Sequence, residues 1–85
     1  MPTTTVTVGS TVGLHARPAA IISEAASELD SEVFIGMPGA EPVDAGSSLM
    51  IMTLGAGHGD SVEISGDNEA DVATIAELVA KDLDA

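Results

Sequence analysis

Residues 3–8 read Thr-Thr-Thr-Val-Thr-Val, a run that is β-branched without exception. Such side chains are stiff in a helix and fit a pleated strand. A second segment, Ser61–Ser65 (SVEIS), alternates polar and apolar residues and predicts another strand. With two such strand segments in the chain, an all-helical fold is disfavoured. Between them, residues 16–29 show helical spacing, with Ile22, Ala25, Ala26 and Leu29 on one face. Ser23, Glu24, Ser27 and Glu28 fall opposite, and Arg17 joins them on the outward side. Ala20 and Ile21 also point outward, which core packing does not explain.

The remaining elements are shorter. Glu32–Gly36 predicts a strand, MPGAEP a turn, and Pro42–Ala45 an edge strand, since proline cannot donate to a ladder. Ser47–Leu54 predicts a short helix closed by Gly55. A last helix spans Asn68–Leu83, with Val72, Ile75, Ala76, Val79 and Leu83 on one face and a Glu77–Lys81 pair on the other. The order is β-α-β-β-α-β-α. Two split βαβ halves and a final helix imply one α+β domain over residues 1–85, an antiparallel sheet with helices on one face. Phe34 is the only aromatic residue, so aliphatic side chains and alanine must fill the core.

Charge narrows the function. The net charge is −12, with 14 acidic residues against two basic ones. Phosphate backbones need lysine and arginine, so nucleic acid is excluded as a partner. Anionic membranes are disfavoured for the same reason. The acidity itself is read as a solubility device or as adaptation to a salty cytoplasm, and both readings stay open. No cysteine is present, and two histidines do not make a zinc site, so no metal or cofactor is expected. The start of the chain lacks a basic segment followed by an apolar run, and no stretch reads as a membrane span. A soluble, monomeric, cytoplasmic protein is expected.

The acids are unevenly placed. All lie at position 24 or later, and a second acid-free window runs from Ala45 to Gly59. If the two windows meet in the fold, they form one acid-free surface suited to an anion. Inside the first window stands GLHARPAA, residues 13–20, with the only arginine two residues after a histidine. His15 precedes a helix start, where backbone N–H groups lack internal partners and carry partial positive charge. That end binds anions, and an imidazole can act as a nucleophile. Ala16 and Arg17 would supply backbone donors, and the Arg17 guanidinium a full charge and a fork of donors for a phosphoryl group. Pro18 is tolerated in the first turn. No serine or cysteine pairs with His15 as in a hydrolase. The plain alternative is a surface histidine capping a helix beside a solvated arginine.

GLHARPAA followed by a helix resembles the phosphorylation-site motif of the HPr family, the histidine-containing phosphocarriers of the bacterial sugar phosphotransferase system. SSLMIMTLGAGHGD resembles that family's second signature. The resemblance covers essentially the whole chain. It implies an open-faced β-sandwich, a four-stranded antiparallel sheet covered by three helices. It implies that His15 takes a phosphoryl group on Nδ1 from phosphorylated enzyme I and passes it to the A domains of sugar-specific transporters. Arg17 matches the family's active-site arginine. The protein would be a carrier and transfer intermediate, without independent turnover. Ser47 falls where low-GC Gram-positive members carry a serine phosphorylated by a dedicated kinase, with regulation of transcription factors as a further partner class. Here Gly46 replaces a basic residue common in those members, and a helix N-cap is the favoured role for Ser47.

Leu49, Met50, Ile51 and Met52 are consecutive on a short helix, so they cannot all face inward. With Ala20 and Ile21 they form the expected docking surface, methionine being adaptable to different partners. His58 reads as a solvated loop residue. Three rivals remain: a purely regulatory relative, a carrier of the nitrogen-linked branch, and an acyl carrier protein. The last rests on Ser31 after Asp30, although Glu32 stands where that family has leucine.

Overall fold

The strand-forming segments and helical periods assemble in the order expected. A computed structural model describes residues 2–83. Its elements are β1 (Thr3–Thr7), α1 (Ala16–Ser27), β2 (Val33–Gly36), β3 (Val43–Asp44), α2 (Ser48–Thr53), β4 (Ser61–Gly66) and α3 (Glu69–Ala80). The strands form one sheet in the order β1-β4-β2-β3, and every neighbouring pair is antiparallel. β3 is an edge strand next to Pro42, as its composition requires. The mixed architecture excludes the all-helical acyl carrier fold. Ser31, the residue behind that idea, instead donates a hydrogen bond to Asp71 Oδ2 at 2.6 Å.

Alternation decides which face of the sheet is covered. Val33 and Ile35 of β2 and Val62 and Ile64 of β4 are buried, whereas Phe34, Glu63 and Ser65 between them are not. Ile35 faces Ile64 across the β2–β4 ladder, and Phe34 faces Ser65. The helices close the Val/Ile side. The core is aliphatic: Ile22, Ile35, Ile51, Ile64 and Ile75 are its largest fully buried side chains. Phe34 lies half-buried on the open side.

Three expectations fail here, each for a tertiary reason. Ser23 is buried rather than outward. The buried stripe of α1 includes Ala19, Ile22, Ser23 and Ala26, and both α2 and α3 pack against the helix. Ser23 tolerates this because its hydroxyl donates to the Ala20 carbonyl at 3.1 Å. The last helix ends at Ala80, not Leu83, because the backbone of Lys81 turns extended, with φ −83° and ψ 155°. The following residues cross the β1–α1 loop instead: Ser10 Oγ donates to the Lys81 carbonyl at 3.3 Å and accepts from the Leu83 N–H at 3.1 Å. Lys81 is therefore off the helical wheel, and the Glu77–Lys81 spacing does not make the expected pair. Leu83 still packs against the core, from beyond the helix.

Candidate functional site

The site is built by a turn that delivers His15 to the start of α1. Gly13 has φ +78° and donates its N–H to the Ser10 carbonyl at 2.9 Å. Leu14 follows and is buried, and its N–H donates to the Ala56 carbonyl at 2.9 Å. With Leu14 pointing in, extended backbone at His15 (φ −85°, ψ −168°) turns the next side chain out. Pro18 and Ala19 are buried one turn further on and hold the helix end down. His15, Ala16 and Arg17 are all exposed above them.

His15 occupies the N-cap position, yet its side chain makes no capping hydrogen bond. Its carbonyl begins the helical ladder by accepting from Ala19 N–H at 2.9 Å. The N–H groups of Ala16 and Arg17 belong to the first turn, which the ladder does not serve. The first turn holds no acidic residue. An imidazole, two backbone donors and a guanidinium thus share one exposed helix end.

The two acid-free windows meet. The Leu14–Ala56 hydrogen bond joins them, and Gly13 lies so close to Ala56 and Gly57 that a Cβ there would come within 2.6 Å of the Ala56 oxygen. The acids bounding the second window turn onto their own loops. Asp44 Oδ1 accepts from Gly46 N–H, and Asp60 Oδ2 from Gly57 N–H, both at 2.8 Å. His58 is exposed in the loop between Gly57 and Asp60.

The second window carries α2. Ser47 is its N-cap, its hydroxyl oxygen accepting from Met50 N–H at 3.3 Å. Gly55, with φ +66°, ends the helix as C′ glycines do. Leu49, Met50 and Met52 are exposed by 68%, 42% and 38%, while Ile51 is fully buried. The expected docking set is corrected accordingly: Ile51 is a core residue, because the sheet-facing stripe of a six-residue helix needs one large anchor. Ala20 is exposed and Ile21 half-buried. Val12, which no periodic segment of the sequence contains, is exposed by 53% in the turn before His15. It is a single large apolar residue within a loop of glycine, serine and threonine. Among the described residues no cluster of histidine and carboxylates could hold a metal, and no helix is long and apolar enough to cross a membrane.

Known proteins share both the fold and the site segment. The family model for the PTS HPr component phosphorylation site matches residues 2–81. Phosphocarrier protein HPr of Streptomyces coelicolor is 39% identical over 82 residues, spanning 93% of this chain and 88% of that protein. Phosphocarrier protein NPr of Klebsiella oxytoca is 28% identical over 76 residues, 89% of this chain and 84% of its own. The crystal structure of HPr-C-His from Thermoanaerobacter tengcongensis superposes with a TM-score of 0.87 at 28% identity, covering 100% of this chain and 98% of that one. The chain belongs to the HPr family of phosphocarrier proteins of the phosphotransferase system.

Proposed function

We propose that His15 accepts a phosphoryl group on Nδ1 from phosphorylated enzyme I and hands it to the A domains of sugar-specific transporters. The observation that carries this reading is the uncapped N-cap. An exposed imidazole stands at a helix end whose first N–H groups it leaves free for an anion. In the transfer, the lone pair of Nδ1 attacks phosphorus, and the donor's P–N bond breaks with its electron pair returning to the donor imidazole. The developing oxyanions face the Ala16 and Arg17 N–H groups and the Arg17 guanidinium. The reverse sequence delivers the group to the acceptor, so the protein carries and does not turn over alone.

Val12, Ala20, Ile21, Leu49, Met50 and Met52 supply the apolar contact around the site, and flexible methionines suit several partners. Ser47 acts as the N-cap of α2, and regulatory phosphorylation is not needed to explain it. A carrier is favoured over a purely regulatory protein because the acceptor histidine is present and exposed. Intact-mass measurement after incubation with enzyme I and phosphoenolpyruvate tests the reading. Wild type gains one acid-labile phosphoryl group and His15→Ala none; equal labelling of both refutes the site. The first enzyme of the nitrogen-linked branch, used in place of enzyme I, distinguishes the two branches by rate.

A further inference from the structure

The charge around the apolar patch specifies its partner. Along α1, Glu24 and Glu28 lie seven and eleven residues after Arg17, each near a whole number of 3.6-residue turns, so all three share one row. At 1.5 Å per residue the carboxylates sit about 10 and 16 Å beyond the guanidinium along the axis. All three side chains are exposed, and Ala20 and Ile21 stand between them. Beside Ile21 runs an open groove of about 550 Å³, lined also by Ser23, Glu24, Ala25, Ser27 and Glu28. Its two serine hydroxyls are turned onto the helix backbone, Ser23 to Ala20 and Ser27 to the Ser23 carbonyl at 2.8 Å. The outward polarity of this groove is therefore that of two carboxylates.

Among the described residues neither carboxylate has a cationic partner. The only other cation, Lys81, caps α3. A partner presenting acids to Arg17 would meet this pair two turns away, on a chain of net charge −12. Like charges across an interface are strongly disfavoured, and opposite charges at a rim set the encounter rate.

Resting on the phosphocarrier reading, we propose that the protein surface docking on the His15 face is apolar at its centre and carries lysine or arginine opposite Glu24 and Glu28. Attraction on the far turns of α1 steers the approach, while Arg17 serves the phosphoryl group.

The test is single-turnover phosphoryl transfer from the phosphorylated enzyme I of the same organism, followed by rapid quench in low and high NaCl. Glu24→Gln/Glu28→Gln is compared with Glu69→Gln/Glu77→Gln, which removes the same charge from exposed positions on α3. The first pair is expected to lower the low-salt second-order rate on the order of five- to tenfold and to flatten its salt dependence. The second pair changes it less than about twofold. Circular dichroism verifies that both fold. Transfer by the first pair as fast as wild type, or equal loss in both pairs, overturns the proposal. Absence of any labelling of wild-type His15 would instead refute the phosphocarrier reading itself.

Discussion

Gly13→Ala tests how the two acid-free windows are held together. At φ +78° an L-residue is strained, at a cost of about 1–2 kcal/mol. The new methyl also meets backbone: the Ala56 oxygen at 2.6 Å and the Gly57 Cα at 2.8 Å. Backbone cannot rotate aside as a side chain would, and overpacking of this kind costs about 1–3 kcal/mol. Restricting the unfolded chain returns about 0.4–1 kcal/mol. The net loss is about 2–4 kcal/mol, a large part of the roughly 4–13 kcal/mol expected for a domain of this length. Gly55→Ala isolates the first term. Its φ is +66°, but nothing lies within 4 Å of the added Cβ, so the loss is about 1 kcal/mol. The chain has no Trp or Tyr, so urea unfolding is followed by far-ultraviolet circular dichroism. With m near the low end for small proteins, about 1–1.5 kcal/mol/M, the midpoint falls about 2 M for Gly13→Ala and somewhat under 1 M for Gly55→Ala. Equal midpoint shifts for the two would refute the close backbone approach at Gly13.

The other substitutions separate core from surface. Ile51→Ala is expected to cost about 2–5 kcal/mol in urea unfolding. Leu49→Ala, two positions away, stays within about 0.5 kcal/mol of wild type yet slows transfer from enzyme I. Ser47→Ala and Asn68→Ala each remove an N-cap and should each lower stability by about 1 kcal/mol, read from the same midpoints. Arg17→Glu slows phosphoryl transfer while leaving the unfolding midpoint in place, since Arg17 is exposed; an unchanged transfer rate would remove the guanidinium from the mechanism.

Local signals carried most of the fold. β-branched TTTVT, alternating SVEIS and the Ser47 and Gly55 boundaries of α2 each act over a few residues, and each appears where expected. The site was legible for a similar reason. A histidine before a helix start and an arginine inside its first turn are placed by backbone geometry alone, and both are exposed. What could not be read depends on neighbours distant in sequence. Ser23 is buried because other elements pack against α1, which its own helical period does not reveal. α3 stops at Ala80 because the chain then binds Ser10, some seventy positions earlier. Among four consecutive apolar residues of α2, the choice of Ile51 as anchor is made by the rest of the core. The meeting of the two acid-free windows was conditional on the fold, and the Leu14–Ala56 hydrogen bond supplies the condition.

The central claim is that the phosphoryl group rests on Nδ1 of His15 against the first-turn N–H groups of α1. Phosphorus and amide NMR of the phosphorylated protein tests it most directly. The account predicts an Nδ1-phosphohistidine at His15, with the largest amide shift changes at Ala16 and Arg17. A phosphoryl group on Nε2 or on His58, or unmoved amides at Ala16 and Arg17, would contradict it.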